Sequence, residues 1–117
     1  TPAAISEAAL AGSDPTAVAT LDLFCSVLGR VAGDLALTFL ARGGVYLAGG
    51  IARKIAPYLQ KSAFREAFED KAPNSHLLEQ MATLIVMHEK PALAGLAAYA
   101  CAPDRFGVET DGRRWTG

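Results

Sequence analysis

The longest periodic pattern in the chain follows Asp14-Pro15. Apolar residues recur there at intervals of three and four, at Val18, Leu21, Phe24, Cys25, Leu28, Val31, Leu35 and Phe39. Such spacing lines one side of a helix, so the pattern predicts a helix from Pro15 to about Ala41 with these positions as its buried face. Asp14 supplies the N-cap, and proline at the first helical position has its φ already set. Thr1-Pro2 repeats the signal and predicts a shorter helix to about Leu10, broken by Gly12-Ser13. Gly29 and Gly33 stand inside the long helix, where each costs roughly 1 kcal/mol relative to alanine. Either another element packs very close to them, or the helix breaks in two.

Beyond Arg42-Gly43-Gly44 the period changes. Val45 to Ala48 reads as a strand, followed by a helix from Ile51 to about Gln60 that Pro57 bends or ends early. Ser62 is placed to cap a helix over Ala63 to Asp70, with Phe64 and Phe68 on one face and Arg65 set to pair with Glu69 at i,i+4. Ala72-Pro73-Asn74-Ser75 predicts a turn, and a short helix continues to about Gln80. Thr83 to His88, nearly all apolar, predicts a strand buried on both faces. Glu89-Lys90-Pro91 leads into a last helix, Ala92 to Ala100, rich in small residues and able to pack tightly. Residues 1–102 thus form the structured body, and residues 103–117 a polar, loosely held tail.

Two buried strands joined through a helical crossover should run parallel in one sheet. A two-stranded parallel sheet is too small to stand alone, and its edges are open. With a first residue that is not methionine, this predicts the C-terminal part of a larger α/β protein.

The net charge is −1, from 11 basic and 12 acidic residues. With no basic stripe, nucleic acid is not an expected partner. Asp22, Arg30, Asp34 and Arg42 interrupt the apolar stretches, so neither a membrane span nor a signal peptide is expected. Cys25 and Cys101 lie in helix-like apolar segments, which fits reduced, buried thiols in a cytoplasmic protein. His76 and His88 have no carboxylate or cysteine set to complete a metal site. Glu66, Glu69 and Asp70 read as a charged helix face rather than an acid/base pair. Arg53 and Lys54 read as solvated, with reach toward a phosphate as the alternative.

One segment carries candidate chemistry. In Gly43-Gly44-Val45-Tyr46-Leu47-Ala48-Gly49-Gly50-Ile51-Ala52 a short strand runs between two glycine pairs and turns into a helix. Glycines at a strand-to-helix corner let a ligand approach where a Cβ would collide. The helix start beyond them offers N–H groups and a positive dipole end. Gly49, Gly50 and Ile51, with Ala48 at the strand end, are therefore candidate nucleotide-binding residues. The alternative is a tight turn that needs φ > 0 and binds nothing.

Four stretches resemble bacterial glucokinases, members of the hexokinase–actin–heat-shock superfamily. They are Leu23-Phe24-Cys25 with Leu28-Gly29 and Gly33-Asp34-Leu35-Ala36-Leu37; Gly43 to Ile51; Ser62 with Phe64-Arg65 and Ala67-Phe68-Glu69-Asp70-Lys71; and Pro91-Ala92-Leu93 with Gly95. The resemblance implies the C-terminal part of a ribonuclease-H-like α/β ATPase domain, helix-rich with a remnant of a parallel sheet. It implies transfer of the γ-phosphoryl group of Mg-bound ATP to the 6-hydroxyl of glucose, a reaction of positioning and charge neutralisation. In the family an Asp-x-Gly-Gly-Thr loop, an Asn-Asp pair and a Glu-x-x-His cluster carry the phosphate and sugar chemistry. None stands in this chain, whose single asparagine is Asn74, so no catalytic or metal-binding residue is assigned. What carries over is the adenosine wall at Gly49, Gly50 and Ile51, and Ala48.

The sequence departs from the family at Ala72-Pro73, where many relatives have glycine and a continuing helix, and in a longer tail after Ala102. Other readings are a related sugar kinase or sugar-responsive regulator, the latter requiring a DNA-binding helix-turn-helix, and a non-catalytic interaction domain indifferent to ATP. The apolar face of the long helix packs either inside the subunit or against a second copy in a homodimer.

Overall fold

The computed structural model describes residues 1–107. They fall into two compact units, Thr1–Met87 and a second beginning at His88.

Both N-terminal helices start where their caps predict. In α1 (Pro2–Leu10) Thr1 Oγ1 accepts from the Ala4 N–H at 3.4 Å. In α2 (Pro15–Thr38) the Asp14 carboxylate accepts from the N–H groups of Thr16 at 2.8 Å and Ala17 at 3.4 Å. These bonds satisfy donors that the first helical turn leaves without a partner.

The end of α2 differs from the expected Ala41. The Ala41 N–H bonds to the Ala36 carbonyl and the Leu40 N–H to the Leu37 carbonyl, the paired closure of a Schellman motif. That motif needs a left-handed residue, and Leu40 fills the place at φ +46°. Glycine is the usual occupant because a Cβ there is strained by roughly 1–2 kcal/mol. Leu40→Gly is therefore expected to stabilise the protein by about 0.5–1 kcal/mol, since Leu40 is largely exposed and loses little packing. A thermal melt checks it, and a lowered midpoint would mean that Leu40 packs more than it strains.

The buried face of α2 also differs. Leu21 and Cys25 are buried and Val18 and Leu28 half-buried, but Phe24, Val31, Leu35 and Phe39 are exposed. The buried line is instead Ala17, Leu21, Cys25, Gly29, Ala32, Gly33 and Ala36. Its small side chains admit α5 (Phe64–Glu69) at backbone contact. A Cβ on Gly29 would stand 2.2 Å from the Phe64 carbonyl oxygen, and one on Gly33 2.4 Å from that of Phe68. The close packing expected at these glycines is present, and α2 is not broken. By length and composition α2 is also apolar enough to cross a membrane, but its glycine face carries α5.

After α2 the chain forms β1 (Val45–Leu47), α3 (Gly50–Lys54), α4 (Ala56–Leu59), α5, α6 (Ser75–Glu79) and β2 (Thr83–Ile85). The helix expected over Ile51 to Gln60 is two short helices meeting at Ile55, with Pro57 in the first turn of α4. The strands pair in parallel, Val45 with Thr83 and Leu47 with Ile85. Both are shorter than expected, and β2 is not buried on both faces. Thr83 and Ile85 are half-buried, but Leu84 and its neighbour Tyr46 are exposed on the other side. Phe68, Ile55, Leu78 and Cys25 are the largest fully buried side chains of the core. Ser62 Oγ accepts from the Phe64 N–H at 3.2 Å, and the Phe64 and Phe68 rings stack 6.3 Å apart.

The second unit holds α7 (Pro91–Cys101) and a 3-10 turn, Pro103–Phe106. Tyr99 meets Phe106 edge-on, with centroids 5.6 Å apart. This turn lies where a loosely held tail was expected, and the rest of that tail, residues 108–117, is outside the described residues. Cys101 was expected to be buried but is exposed, because α7 carries no buried residue.

Candidate nucleotide site

β1 ends at Leu47, and the chain turns through Ala48 and Gly49 into α3. Gly49 has φ +108° and ψ 169°, a conformation that side chains rarely adopt. Its carbonyl accepts from the Arg53 N–H at 3.3 Å. Gly50 has no such φ, yet a Cβ there would meet nothing within 4 Å. Among the described residues, therefore, nothing requires glycine at residue 50. Both glycines and Ala48 are exposed. As α3 spans five residues, its dipole is weaker than that of the longer helix expected.

Gly50 and Ile51 border an open cavity of about 490 Å³ between three helices. Ile5 and Ser6 of α1 form one wall, Thr20, Leu21 and Phe24 of α2 the second, and Gly50, Ile51 and Lys54 of α3 the third. The volume and the apolar walls suit a small organic ligand. Gly49 and Ala48 are not on the wall. A larger groove of about 690 Å³ runs past Leu47, Arg53, Gln60, Arg65, Thr83 and Ile85. It is more polar, but it excludes the glycine corner, and the Arg65 guanidinium there is committed to carbonyls of residues 78–81.

Lys54 is exposed, as expected. Its ammonium also bonds to Glu7 Oε1 at 2.8 Å, tying α3 to α1 beside the cavity. This bond holds the Glu7 carboxyl below its ordinary pKa. Nearby, Tyr58 donates to Asp22 at 2.6 Å, which with partial desolvation pushes the phenol up to about 12. Burial pushes the Cys25 thiol up, with Ser62 acting in the opposite sense. A protonated, enclosed thiol is a poor nucleophile.

His88 Nδ1 accepts from the Lys90 N–H at 3.0 Å, a local turn contact. Among the described residues no three histidine, cysteine or carboxylate groups come together as metal ligands. The charged face of α5 is partly neutralised by the Arg65–Glu69 pair expected from the i,i+4 spacing.

Ile5, Ser6, Thr20 and Phe24 were not among the expected site residues. The spacing assigned Phe24 to the core, and no local signal in α1 or α2 points to a corner so much later in the chain.

The glucokinase family model matches residues 1–103. The chain belongs to the glucokinase family. Glucokinases of Rhizobium johnstonii and Chelativorans sp. (strain BNC1) are each 60% identical to it over 114 residues, 97% of this chain and 33% of the relative. The chain thus spans about a third of the length of the curated glucokinases it matches. In three dimensions it resembles the crystal structure of a glucokinase from an Antarctic psychrotroph, with TM-score 0.73 and 38% identity, over 83% of this chain and 30% of that one. The helix-rich α/β fold is therefore similar, over most of its length, to part of a solved glucokinase.

Proposed function

We propose that this chain supplies the adenosine-binding wall of an ATP-dependent glucokinase, within the C-terminal part of a ribonuclease-H-like ATPase domain. Gly49, Gly50, Ile51 and Ala48 form the corner, and the purine occupies the apolar cavity between α1, α2 and α3. The observation that carries this reading is Gly50. It borders the cavity, and a Cβ there would meet no atom of the described residues within 4 Å. A ligand passing the corner is a sufficient reason to keep the position bare. Gly49 makes the corner and Ile51 gives the cavity an apolar flank.

The γ-phosphoryl of ATP passes to the 6-hydroxyl of glucose in the whole cytoplasmic protein. The carboxylate that accepts the hydroxyl proton and the groups that hold the sugar lie outside this chain. The Mg²⁺ ion is held mainly by the nucleotide phosphates and by parts of the protein outside this chain. Within this division of labour the chain binds and orients the base and ribose, which lowers the entropy cost of aligning the phosphate.

The test is Gly50→Leu in the full-length protein. The KM for ATP should rise about tenfold or more, with the KM for glucose and the melting temperature unchanged. An unchanged KM for ATP would overturn the placement. The 117-residue chain alone should show no phosphotransferase activity, and turnover by it would overturn the assignment of roles.

A further inference from the structure

The wall that α1 gives the cavity is lightly held. α1 packs on α2 but buries Ala9 alone, and Ile5, which lines the cavity, is 45% exposed. A single bond ties this wall to the one formed by α3. Lys54 Nζ donates to Glu7 Oε1 at 2.8 Å, and among the described residues no other hydrogen bond joins α1 to α3. Lys54 lies one helical turn beyond Gly50, and both border the cavity. The bond therefore bridges the two walls within a turn of the glycine corner.

We propose that Glu7 and Lys54 are positioning residues of the nucleotide site, and that their bond holds α1 at the distance from α3 that the ligand needs. The proposal rests on the nucleotide reading above. Neither side chain has to touch the ligand. With the bond made, α1 stands in place and the cavity has its third wall. With it broken, α1 moves away more often and the ligand has to draw it back. Apparent affinity then falls with the fraction of molecules whose wall is in place. The two side chains are 41% and 67% exposed, and an ion pair so open to water shifts such a population only a few-fold.

The experiment is isothermal titration of the full-length protein with ADP and with adenosine, whose lack of charge separates wall spacing from attraction to phosphate. Glu7→Gln and Lys54→Met should each weaken both ligands about threefold, and together no more than either alone, since both remove the same bond. Exchanging the charges, Glu7→Lys with Lys54→Glu, should restore the affinity for adenosine. In both single variants the KM for ATP should follow the affinity at unchanged kcat, and α1 should exchange its amide hydrogens faster in the absence of ligand. A pair that served stability alone would lower the melting temperature and leave the binding constants of the folded protein as they are, which would overturn the proposal. ADP weakened by Lys54→Met with adenosine untouched would mean that Lys54 meets the phosphates directly, and would overturn it too. So would a charge exchange that restores nothing. Each of these results leaves the nucleotide reading standing, whereas failure of the wild type to bind either ligand would overturn both.

Discussion

Gly29→Ala is expected to destabilise the protein by about 2–3 kcal/mol, the upper part of the roughly 1–3 kcal/mol typical of overpacking, because the obstacle is backbone. In an open helix the same change would gain roughly 1 kcal/mol of propensity, so the sign of the result is itself informative. The new methyl carbon would lie 2.2 Å from the Phe64 carbonyl oxygen and 3.1 Å from the Ala67 Cβ. The first obstacle is backbone, which cannot swing aside as a side-chain tip can. Relief requires α5 to lift from α2 and to draw Phe64 and Phe68 out of a core they occupy at 4% and 0% exposure. Gly95 in α7 is the contrast, since a Cβ there meets nothing within 4 Å. Urea denaturation should show a lower midpoint at unchanged slope for Gly29→Ala. A midpoint equal to or above the wild type would show that the two helices do not touch at this glycine. The consequence extends to the site, because α2 also carries Thr20, Leu21 and Phe24.

The same contact shows what the sequence makes legible and what it hides. The glycine pair signalled close approach correctly, because a costly residue in a helix interior calls for a reason. The apolar spacing of α2 was misleading because large residues dominate any periodicity argument. Here the face that packs is built of alanine and glycine, and Phe24, Val31, Leu35 and Phe39 point elsewhere. Caps were legible because Thr1-Pro2 and Asp14-Pro15 act within one turn. The helix end at Leu40 was not, since the motif there conventionally uses glycine and the chain offered Gly43-Gly44 nearby. At the candidate site the corner could be read from local residues alone. The cavity could not, because its walls come from three segments far apart in sequence, α1, α2 and α3. The Lys54–Glu7 bond escaped for the same reason, with partners 47 residues apart.

Arg65→Ala is expected to cost about 3 kcal/mol and Arg65→Lys about 1–2 kcal/mol, judged from charged hydrogen bonds of roughly 1.5–3 kcal/mol that are not additive. The guanidinium closes the end of α6 and the approach to β2. Nη1 donates to the Met81 carbonyl at 2.7 Å, and Nη2 to the carbonyls of Leu78 at 3.0 Å and Glu79 at 3.1 Å. Nε donates to Glu69, and the group lies over the Phe68 ring, 5.0 Å from its centroid. The carbonyls at the end of α6 are among those a helix leaves without partners, and one planar fork satisfies several. Lysine keeps the charge but offers a single ammonium, which cannot span these acceptors or stack in the same way. Because the Arg65 side chain is 37% exposed, the ion pair with Glu69 adds little in solvent. Glu69→Gln should therefore be nearly neutral. Equilibrium denaturation separates these cases, and Arg65→Lys matching the wild type would show that charge, rather than the fork, holds the segment. Hydrogen exchange should locate the damage in α6 and β2. Since β2 fixes β1 through their parallel register, and β1 delivers the chain to Gly49 and Gly50, the loosening should reach the glycine corner while leaving α1 protected. An Arg65→Ala protein that loosens α1 as much as β1 would mean that the unit melts as a whole rather than along this path.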